Sequence, residues 1–416
     1  MVPPLLALLA GAAASPPQKM IMLPVEGDHA ASCLDGSPYA FYVIPGNPKF
    51  FSIGLHGGGW CYDEADCAAR AQTQLGSSKQ WNLTSCFHPP AFSCMGLPED
   101  CTKVFLPYCD GSSFTSFREK PWPIKPNPQN MTQLIFRGVK NLDRTLDKLV
   151  ADFGLGEASD VILSGGSAGG LSTYLHLDHV AARLPNAAVV GAPVAGYFTD
   201  QPPLGSMWRN HSPGTAANGD HPAARPMTSW PAQMQYAFTM YNSSGSLSKD
   251  CQSHYAPTGG QWKCIIAPYA QQFITTPFFA IQSRFDEWQM GPGEGGIPCV
   301  MGQAYAPPYK HSGEWVCNAT EHAMIRTWGA NTLKQLEPVL GSKKNGCFLV
   351  SCIQHGINAF IDGKVGNDSI TQALTAWRTK TAYNSRAGGY HFVDECGPHA
   401  NGDEPCNPSK FCAPFN

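Results

Sequence analysis

The segment VILSGGSAGGLSTYLHLDHVAARL, residues 161–184, decides the fold that we expect for this chain. Its first residues are typical of a buried strand, and the residues after Ser167 follow helical spacing. Ser167 stands between two pairs of glycines in the pattern G-x-S-x-G, where the strand would pass into the helix. Side chains at Gly165 and Gly169 would collide with neighbouring backbone in so tight a turn. This context predicts an exposed serine nucleophile; a turn that merely contains a serine is the alternative.

The composition is that of a globular protein with many turns. The chain has 416 residues, of which 43% are hydrophobic, so a sizeable core can form. Only 14% of the residues are charged, below the roughly 25% of average soluble domains. The formal net charge of −3 shows no basic excess, so we do not expect nucleic acid as a partner. The 42 glycines and 36 prolines predict long irregular connections.

Sixteen cysteines, spread from Cys33 to Cys412, indicate an oxidising compartment. No C-x-x-C pair occurs, and the closest spacing is that of Cys347 and Cys352, so a zinc site is poorly supported. We therefore expect disulfide bonds, whose connectivity does not follow from the sequence.

Residues 1–15 are predicted to be a signal peptide, because a short apolar run ends in Ala12-Ala13-Ala14, a small-x-small cleavage site. No Lys or Arg precedes that run. Neither this run nor any later one reaches the about 20 apolar residues that cross a bilayer, so we expect no membrane span. We expect a protein that is secreted or resides in the secretory-pathway lumen. Six Asn-x-Ser/Thr sequons agree with secretion: Asn82, Asn130, Asn210, Asn242, Asn318 and Asn367.

Short β-prone runs alternate with helical patterns along most of the chain. The runs are 40–44, 50–55, 103–109, 161–164, 187–192, 277–283 and 347–353. Apolar spacing predicts helices from Ile135 to Phe153, with Gly154 as the stop, over 321–340 and over 369–381. Uninterrupted apolar strands between amphipathic helices favour the α/β class, a mostly parallel sheet flanked by helices. We expect one domain over 25–384, with 200–262 as an insertion over the sheet, and a cysteine-rich tail over 385–416.

The stretch LHGGGW, residues 55–60, follows an early predicted strand. Three consecutive glycines let backbone N–H groups point into a cavity, where they could stabilise an oxyanion. We assign this oxyanion hole to the N–H groups of Gly59, Trp60 and Ala168, with Gly58 as the substitute. A glycine-rich loop without a ligand is the alternative.

A serine nucleophile needs a base and an orienting carboxylate, which follow the serine in the order acid, then histidine, in α/β hydrolases. His355 lies just past the predicted strand 347–353 and is the expected base. Asp286 follows the strand 277–283 in the same way and is the expected acid, with Glu287 as its rival. His176 and His179 could mimic a metal pair, but they lack a third ligand, so we take them as packing or surface residues and expect no metal.

Six motifs occur in one order along the chain: LHGGGWCYD (55–63), YCDGSSF (108–114), GGSAGGLSTYLHLD (165–178), GYFTD (196–200), FDEWQ (285–289) and SCIQHGI (351–357). Together they resemble the pectin acetylesterase family, which includes plant pectin acetylesterases and the animal carboxylesterase Notum. The resemblance implies an α/β-hydrolase-like fold, secretion, and Ser167, Asp286 and His355 as nucleophile, acid and base. One position departs from the family pattern, because His56 stands where the family usually has a glutamate. The resemblance therefore does not indicate which acyl group this chain prefers.

Three functions remain open from the sequence. The first is a serine carboxylesterase, acting as a monomer without a cofactor, that removes acetyl esters from an extracellular polysaccharide such as pectin. The second is a Notum-like deacylase that removes a longer acyl chain from a protein or lipid, with a deep apolar pocket near Trp60, Phe278 and Phe279. The third is an inactive binding protein on the same scaffold. Pectin would need a basic groove, and the sequence does not decide whether its scattered candidates converge. These are Lys103, Arg118, Lys120, Arg209 and Arg284.

Overall fold

The structure is a computed structural model. It describes residues 19–24, 31–81, 93–125, 131–205, 229–300, 317–355, 364–380, 390–394 and 404–405. The predicted signal peptide lies outside these residues, as do the sequons at Asn82, Asn130 and Asn210. Among the described residues, no helix combines the length and the apolar character needed to cross a bilayer.

A nine-stranded sheet forms the centre of the molecule, with the strand order β1-β2-β4-β3-β7-β8-β9-β10-β13. The pairings of β1 with β2 and of β2 with β4 are antiparallel, and the remaining neighbours are parallel. All the predicted strands are present, with ends shifted by a few residues. The strands of this sheet are β1 Lys19–Met22, β2 Ala40–Ile44, β3 Asn47–Leu55, β4 Cys101–Leu106, β7 Asp160–Gly166, β8 Ala188–Val194, β9 Phe279–Phe285, β10 Gly346–Ile353 and β13 His391–Val393. Two small hairpins pair β5 Trp122–Pro123 with β6 Gln133–Leu134, and β11 Lys364–Val365 with β12 Asp368–Ser369.

The helices flank this sheet, as the periodicity predicted. Gly154 ends α2 in the left-handed conformation, with φ +78°, as expected for a glycine stop. Asn318 and Ser369 begin the two later predicted helices with capping boxes. The helices are α1 Glu64–Arg70, α2 Gly138–Phe153, α3 Ala168–Arg183, α4 Trp230–Tyr241, α5 Lys249–Tyr255, α6 Ala267–Ala270, α7 Ala319–Leu340 and α8 Ile370–Thr379.

Several elements were missing from the sequence prediction. The region 200–262, taken as an insertion of little periodicity, contains α4 and α5. Helix α4 begins at an N-cap serine, Ser229, followed by Pro231 in the first turn, and this local signal is readable in the sequence. Strand β13 lies inside the segment predicted as a cysteine-rich tail and pairs in parallel with β10. Three residues are too few to show a periodicity, so the pairing partner is what makes them a strand.

Apolar side chains fill both faces of the sheet, and disulfides hold its connections. Five disulfides join described residues: Cys33–Cys109, Cys61–Cys67, Cys94–Cys101, Cys251–Cys264 and Cys299–Cys317. Cys352 is disulfide-bonded as well, whereas Cys347 is a buried free thiol. The prediction of a disulfide-rich α/β fold is thereby confirmed. Cys86, Cys396, Cys406 and Cys412 lie outside the described residues.

The carboxyl ends of the parallel strands lie at one edge of the sheet. Strand β3 pairs with β7 so that Leu55 lies opposite Gly165, and β7 pairs with β8 so that Gly165 lies opposite Pro193. The loops that follow β3, β7, β9 and β10 therefore leave the sheet on the same side. We call this side the carboxyl edge, and the opposite side the amino edge.

Candidate active site

Ser167 occupies a sharp bend between β7 and α3 at the carboxyl edge. Its backbone has φ +58° and ψ −125°, a conformation that non-glycine residues rarely adopt. A Cβ atom at Gly165 would lie 2.3 Å from the Gly169 carbonyl oxygen, and one at Gly169 would lie 2.1 Å from the Leu55 carbonyl oxygen. Both predicted collisions are therefore present. The bend therefore requires glycine at positions 165 and 169, two residues before and two residues after the serine.

His355 lies two residues beyond the end of β10, where its ring reaches Ser167. The ring nitrogen Nε2 is 2.8 Å from Ser167 Oγ. On its other side, Nδ1 is 2.8 Å and 3.0 Å from the two carboxylate oxygens of Asp286. Since a carboxylate only accepts, Nδ1 carries a proton, and Nε2 is left to accept from the serine hydroxyl. The structure thus brings together the three side chains predicted from separate strand ends.

Asp286 is held rigidly behind the histidine. Its carboxylate is 1% exposed, and it accepts hydrogen bonds from the backbone N–H of Gln289 at 3.0 Å and from Gln282 Nε2 at 3.3 Å. Glu287, the rival in the sequence, interacts with His355 through its charge. The hydrogen-bonded partner of the histidine is therefore Asp286.

The carboxylates set the protonation of the imidazole. Burial lowers the pKa of His355. The charge of Asp286, the hydrogen bond to Asp286 and the charge of Glu287 raise it by a larger amount, so the pKa of His355 lies above its ordinary value. Burial and the charge of Asp286 raise the pKa of Glu287, although the imidazole acts in the opposite direction. A raised imidazole pKa makes His355 a stronger base than free histidine.

The glycine-rich stretch after β3 lies against the bend. A Cβ atom at Gly57 would lie 2.2 Å from the Gly166 carbonyl oxygen and 3.0 Å from Ser167 Cβ. The next two glycines adopt positive φ values, +133° at Gly58 and +68° at Gly59. Within the described residues, no backbone carbonyl accepts from the N–H of Gly59 or Ala168. These two donors at the carboxyl edge are thus available to a ligand beside Ser167.

Trp60 belongs to a set of packed rings beside the histidine, which we call the site aromatic cluster: Trp60, Phe198, Trp230 and Trp288. The ring of Phe198 lies 4.8 Å from that of Trp60, 5.3 Å from that of Trp288 and 6.1 Å from the imidazole of His355, measured between centroids. Trp60, Phe198 and Trp230 are fully buried. The cluster therefore occupies much of the space next to the reactive groups.

The suggestion that Phe278 and Phe279 would line an apolar pocket near Trp60 is wrong. Both residues lie where β9 begins, at the amino edge. Phe278 packs on Tyr174, and Phe279 packs on Trp377 and Phe392. A residue at the start of a parallel strand cannot reach loops that follow its end. We call Phe279, Trp377 and Phe392 the distal aromatic cluster.

The two histidines on α3 serve separate packing contacts, as predicted. His176 is buried, and its Nε2 lies 3.0 Å from the Ser113 carbonyl oxygen. Burial, with the charge of His179, lowers the pKa of His176 to about 4. His179 Nε2 lies 2.7 Å from Asp143. The Nε2 atoms of the two rings thus bond to different partners.

The candidate basic residues bond to backbone carbonyls at separate places. Lys103 Nζ donates to Glu99, Arg118 Nε to Met240 and Arg284 Nε to Gly329. Lys120 is exposed, and Arg209 lies outside the described residues. The acceptors of Lys103, Arg118 and Arg284 thus lie in three different segments of the chain.

Ser113 is a residue of the site that the sequence analysis missed. It lies in the loop after β4, and its hydroxyl bonds both to Trp60 and to Ala168. Its motif, YCDGSSF, contributed only to the family resemblance and did not single out Ser113. The available signal was positional, since the loop follows a strand that pairs with β3 and so ends at the same edge.

Comparisons with known proteins identify the family of this chain. The family model for Pectinacetylesterase matches residues 12–212 and 220–405. Pectin acetylesterase 7 of Arabidopsis thaliana is 30% identical over 372 residues, covering 83% of this chain and 84% of its own length. Palmitoleoyl-protein carboxylesterase NOTUM of Mus musculus is 24% identical over 405 residues, covering 91% of this chain and 70% of its own.

A solved structure shares the fold. The Wnt deacylase Notum from Drosophila superimposes with a TM-score of 0.67 and 22% sequence identity, covering 90% of this chain and 96% of that one. This likeness confirms the α/β-hydrolase-like architecture. With the family model matched along nearly the whole chain, the protein belongs to the pectinacetylesterase family and is a carboxylic ester hydrolase.

Proposed function

We propose that this chain is a secreted serine esterase that removes acetyl groups from an extracellular polysaccharide such as pectin. Ser167 would be the nucleophile, His355 the general base and Asp286 the carboxylate that orients the base. The hydrogen-bond chain from Asp286 through His355 to Ser167 is the observation that carries the proposal. Such a chain turns a weakly nucleophilic hydroxyl into an alkoxide-like attacker at neutral pH.

The reaction proceeds through an acyl-enzyme. Ser167 Oγ attacks the ester carbonyl carbon while its proton passes to His355 Nε2. The N–H groups of Gly59, Trp60 and Ala168 would stabilise the negative charge that develops on the carbonyl oxygen. Collapse of the tetrahedral intermediate breaks the bond to the sugar oxygen, which takes the proton from His355. Water then attacks the acyl-serine with His355 again as base, releasing the acid; these steps use side chains and backbone groups alone.

A short acyl group is favoured by the packing beside the histidine. The rings of the site aromatic cluster lie 4.8–5.7 Å apart between centroids for Trp60 with its three partners, which leaves no room for a long chain between them. Removal of a longer acyl chain, as the name of the NOTUM relative says of that protein, is the second candidate.

Secretion is supported by the disulfides, which persist in oxidising compartments. In this proposal, residues 1–15 are removed as a signal peptide, and the mature chain acts as a monomer without metal or organic cofactor. Finding intracellular retention of the full chain in a secretory host would contradict this part.

Hydrolysis of p-nitrophenyl esters from acetate to palmitate tests the substrate proposal, with release of acetate from acetylated pectin as the second assay. We expect kcat/KM to fall steeply beyond butyrate and acetate to be released from pectin. A rise toward octanoate would favour the longer-chain candidate. Absence of activity on every ester, together with no labelling by a fluorophosphonate, would favour an inactive binding protein.

A further inference from the structure

Three loops meet beside Ser167, and the residue at their junction is Ser113. The loops follow β3, β4 and β7, and the donors of the proposed oxyanion hole lie on the first and the third. We propose that Ser113 is a positioning residue that holds these two sets of donors at a fixed separation. The inference rests on the proposed acyl-enzyme mechanism, because it assigns a function to a neighbour of that site.

The hydroxyl of Ser113 makes two hydrogen bonds whose directions are fully determined. The indole Nε1–H of Trp60 donates to Ser113 Oγ at 2.8 Å, and Ser113 Oγ–H donates to the Ala168 carbonyl oxygen at 2.9 Å. An indole N–H only donates and a carbonyl only accepts, so the bridging group must do both. A hydroxyl satisfies this requirement with its one proton and its lone pairs.

The bridge joins two residues whose N–H groups are assigned to the proposed oxyanion hole. Trp60 continues from Gly59, and Ala168 is the first residue of α3. Pairing of β3 with β7 brings the two segments near each other, but the strands end before the donors begin. An oxyanion hole needs its donors within a few tenths of an ångström of their working positions. Ser113 supplies the direct link between the two segments at that point.

Ser113 is itself fixed by its surroundings. Its N–H donates to the Tyr108 hydroxyl at 2.9 Å, and its carbonyl oxygen lies 3.0 Å from His176 Nε2, which must donate. Ser113 and these two partners are fully buried. Its backbone has φ +53°, and Phe114 follows with φ +60°. Strained residues of this kind persist only where the surrounding contacts hold them, and they concentrate at functional sites.

The test uses Ser113→Gly as the main variant, because glycine suits the positive φ and lacks both the hydroxyl and the Cβ atom that carries it. Ser113→Ala is the second variant, and kcat is normalised to the sites that a fluorophosphonate titrates. We expect kcat for p-nitrophenyl acetate to fall about 10- to 100-fold with KM within about twofold, because misplaced donors weaken the transition state rather than the ground state. The inhibition constant of a trifluoromethyl ketone, whose adduct carries an oxyanion, should rise by a similar factor.

Ser172→Ala is the matched control. Ser172 Oγ donates to the same Ala168 carbonyl at 2.7 Å, but from within α3, so this bond does not link α3 to the loop after β3. We expect its kcat and its inhibition constant to stay within about twofold of wild type. Wild-type values in Ser113→Gly overturn the inference, and so does a loss of kcat with an unchanged inhibition constant. If Ser167→Ala keeps its activity, the proposed function itself fails; if it is inactive and Ser113→Gly is unaffected, only this inference fails.

Discussion

The carboxyl and amino edges of the sheet differ in what their residues contact. At the carboxyl edge, Ser113, Phe114 and Ser167 hold left-handed backbone conformations, and polar groups are buried in specific hydrogen bonds. At the amino edge of β9 and β10, the distal aromatic cluster packs in regular structure, and Gly346 leaves space for the ring of Phe279. Left-handed backbone and buried hydrogen bonds thus occur beside the reactive groups, whereas the distal aromatic cluster is held mainly by contacts between its rings. The difference indicates that activity and stability depend on separate residues.

The largest effect should come from Ser167→Ala. We expect hydrolysis of p-nitrophenyl acetate to fall by at least about 10⁴-fold, since the variant lacks the nucleophile. The free energy of unfolding in urea should change by less than about 1 kcal/mol, because the backbone of the bend is unchanged. Retained hydrolysis, or a large loss of stability, would remove the distinction between the two edges.

Phe279→Ala should produce the opposite pattern. Truncation of this buried ring should lower the free energy of unfolding by about 3–5 kcal/mol, through lost burial and the cavity left behind. The kcat at 25 °C should stay within about twofold of wild type, because the ring is remote from the reactive groups. Phe279→Leu is the matched control and should lose less stability. A strong fall in kcat with the enzyme still folded would show that the edges are coupled.

The buried His176 should make the free energy of unfolding depend on pH. Its pKa is about 4 in the folded chain, against 6.5 ordinarily, so the unfolded chain binds more protons between these values. Protonation therefore favours unfolding, and stability falls as pH decreases from 6.5 toward 4. The contribution reaches about 3 kcal/mol. Urea unfolding of wild type and His176→Gln at pH 4.5 and 7 measures it: the variant should lose less stability on acidification. Equal losses in both proteins would rule out this role.

The smallest effect concerns Glu287, beside the histidine. His355 must be neutral to act as a base, so activity falls as pH decreases through its raised pKa. Glu287→Gln removes one cause of the raised pKa of His355 and keeps the hydrogen bond that His355 Nδ1 donates to Asp286. The acid limb of kcat/KM should move to lower pH by less than about one unit, with the plateau little changed. A collapse of the plateau would indicate that Glu287, rather than Asp286, orients the base.

Much of the site was predictable because its residues follow the ends of predicted strands. Ser167, Asp286 and His355 each follow a predicted strand, and parallel strands deliver their ends to one edge, so their meeting follows from the order of elements. The glycines around Ser167 were predictable for a local reason, namely the collisions that any side chain would cause.

The contacts of Ser113 and the position of the distal aromatic cluster were not predicted from the order of the strands. The contacts of Ser113 depend on its left-handed backbone and on the pairing of β3 with β4, and neither is visible as a sequence pattern. Phe278 and Phe279 were misplaced because they lie at the start of β9, and the start of a parallel strand is at the opposite edge of the sheet from the loop that follows the strand. Strand β13 is too short to carry a pattern of its own, since its pairing with β10 is a long-range contact.

The identity of the residue that a fluorophosphonate modifies tests the central claim most directly. Wild-type protein treated with a fluorophosphonate is digested, and the modified peptide is located by mass spectrometry, with Ser167→Ala treated in parallel. The account predicts a single adduct per chain on the peptide that contains Ser167 and none in the variant. An adduct on another serine, or an active wild-type enzyme that takes no adduct at all, would contradict it.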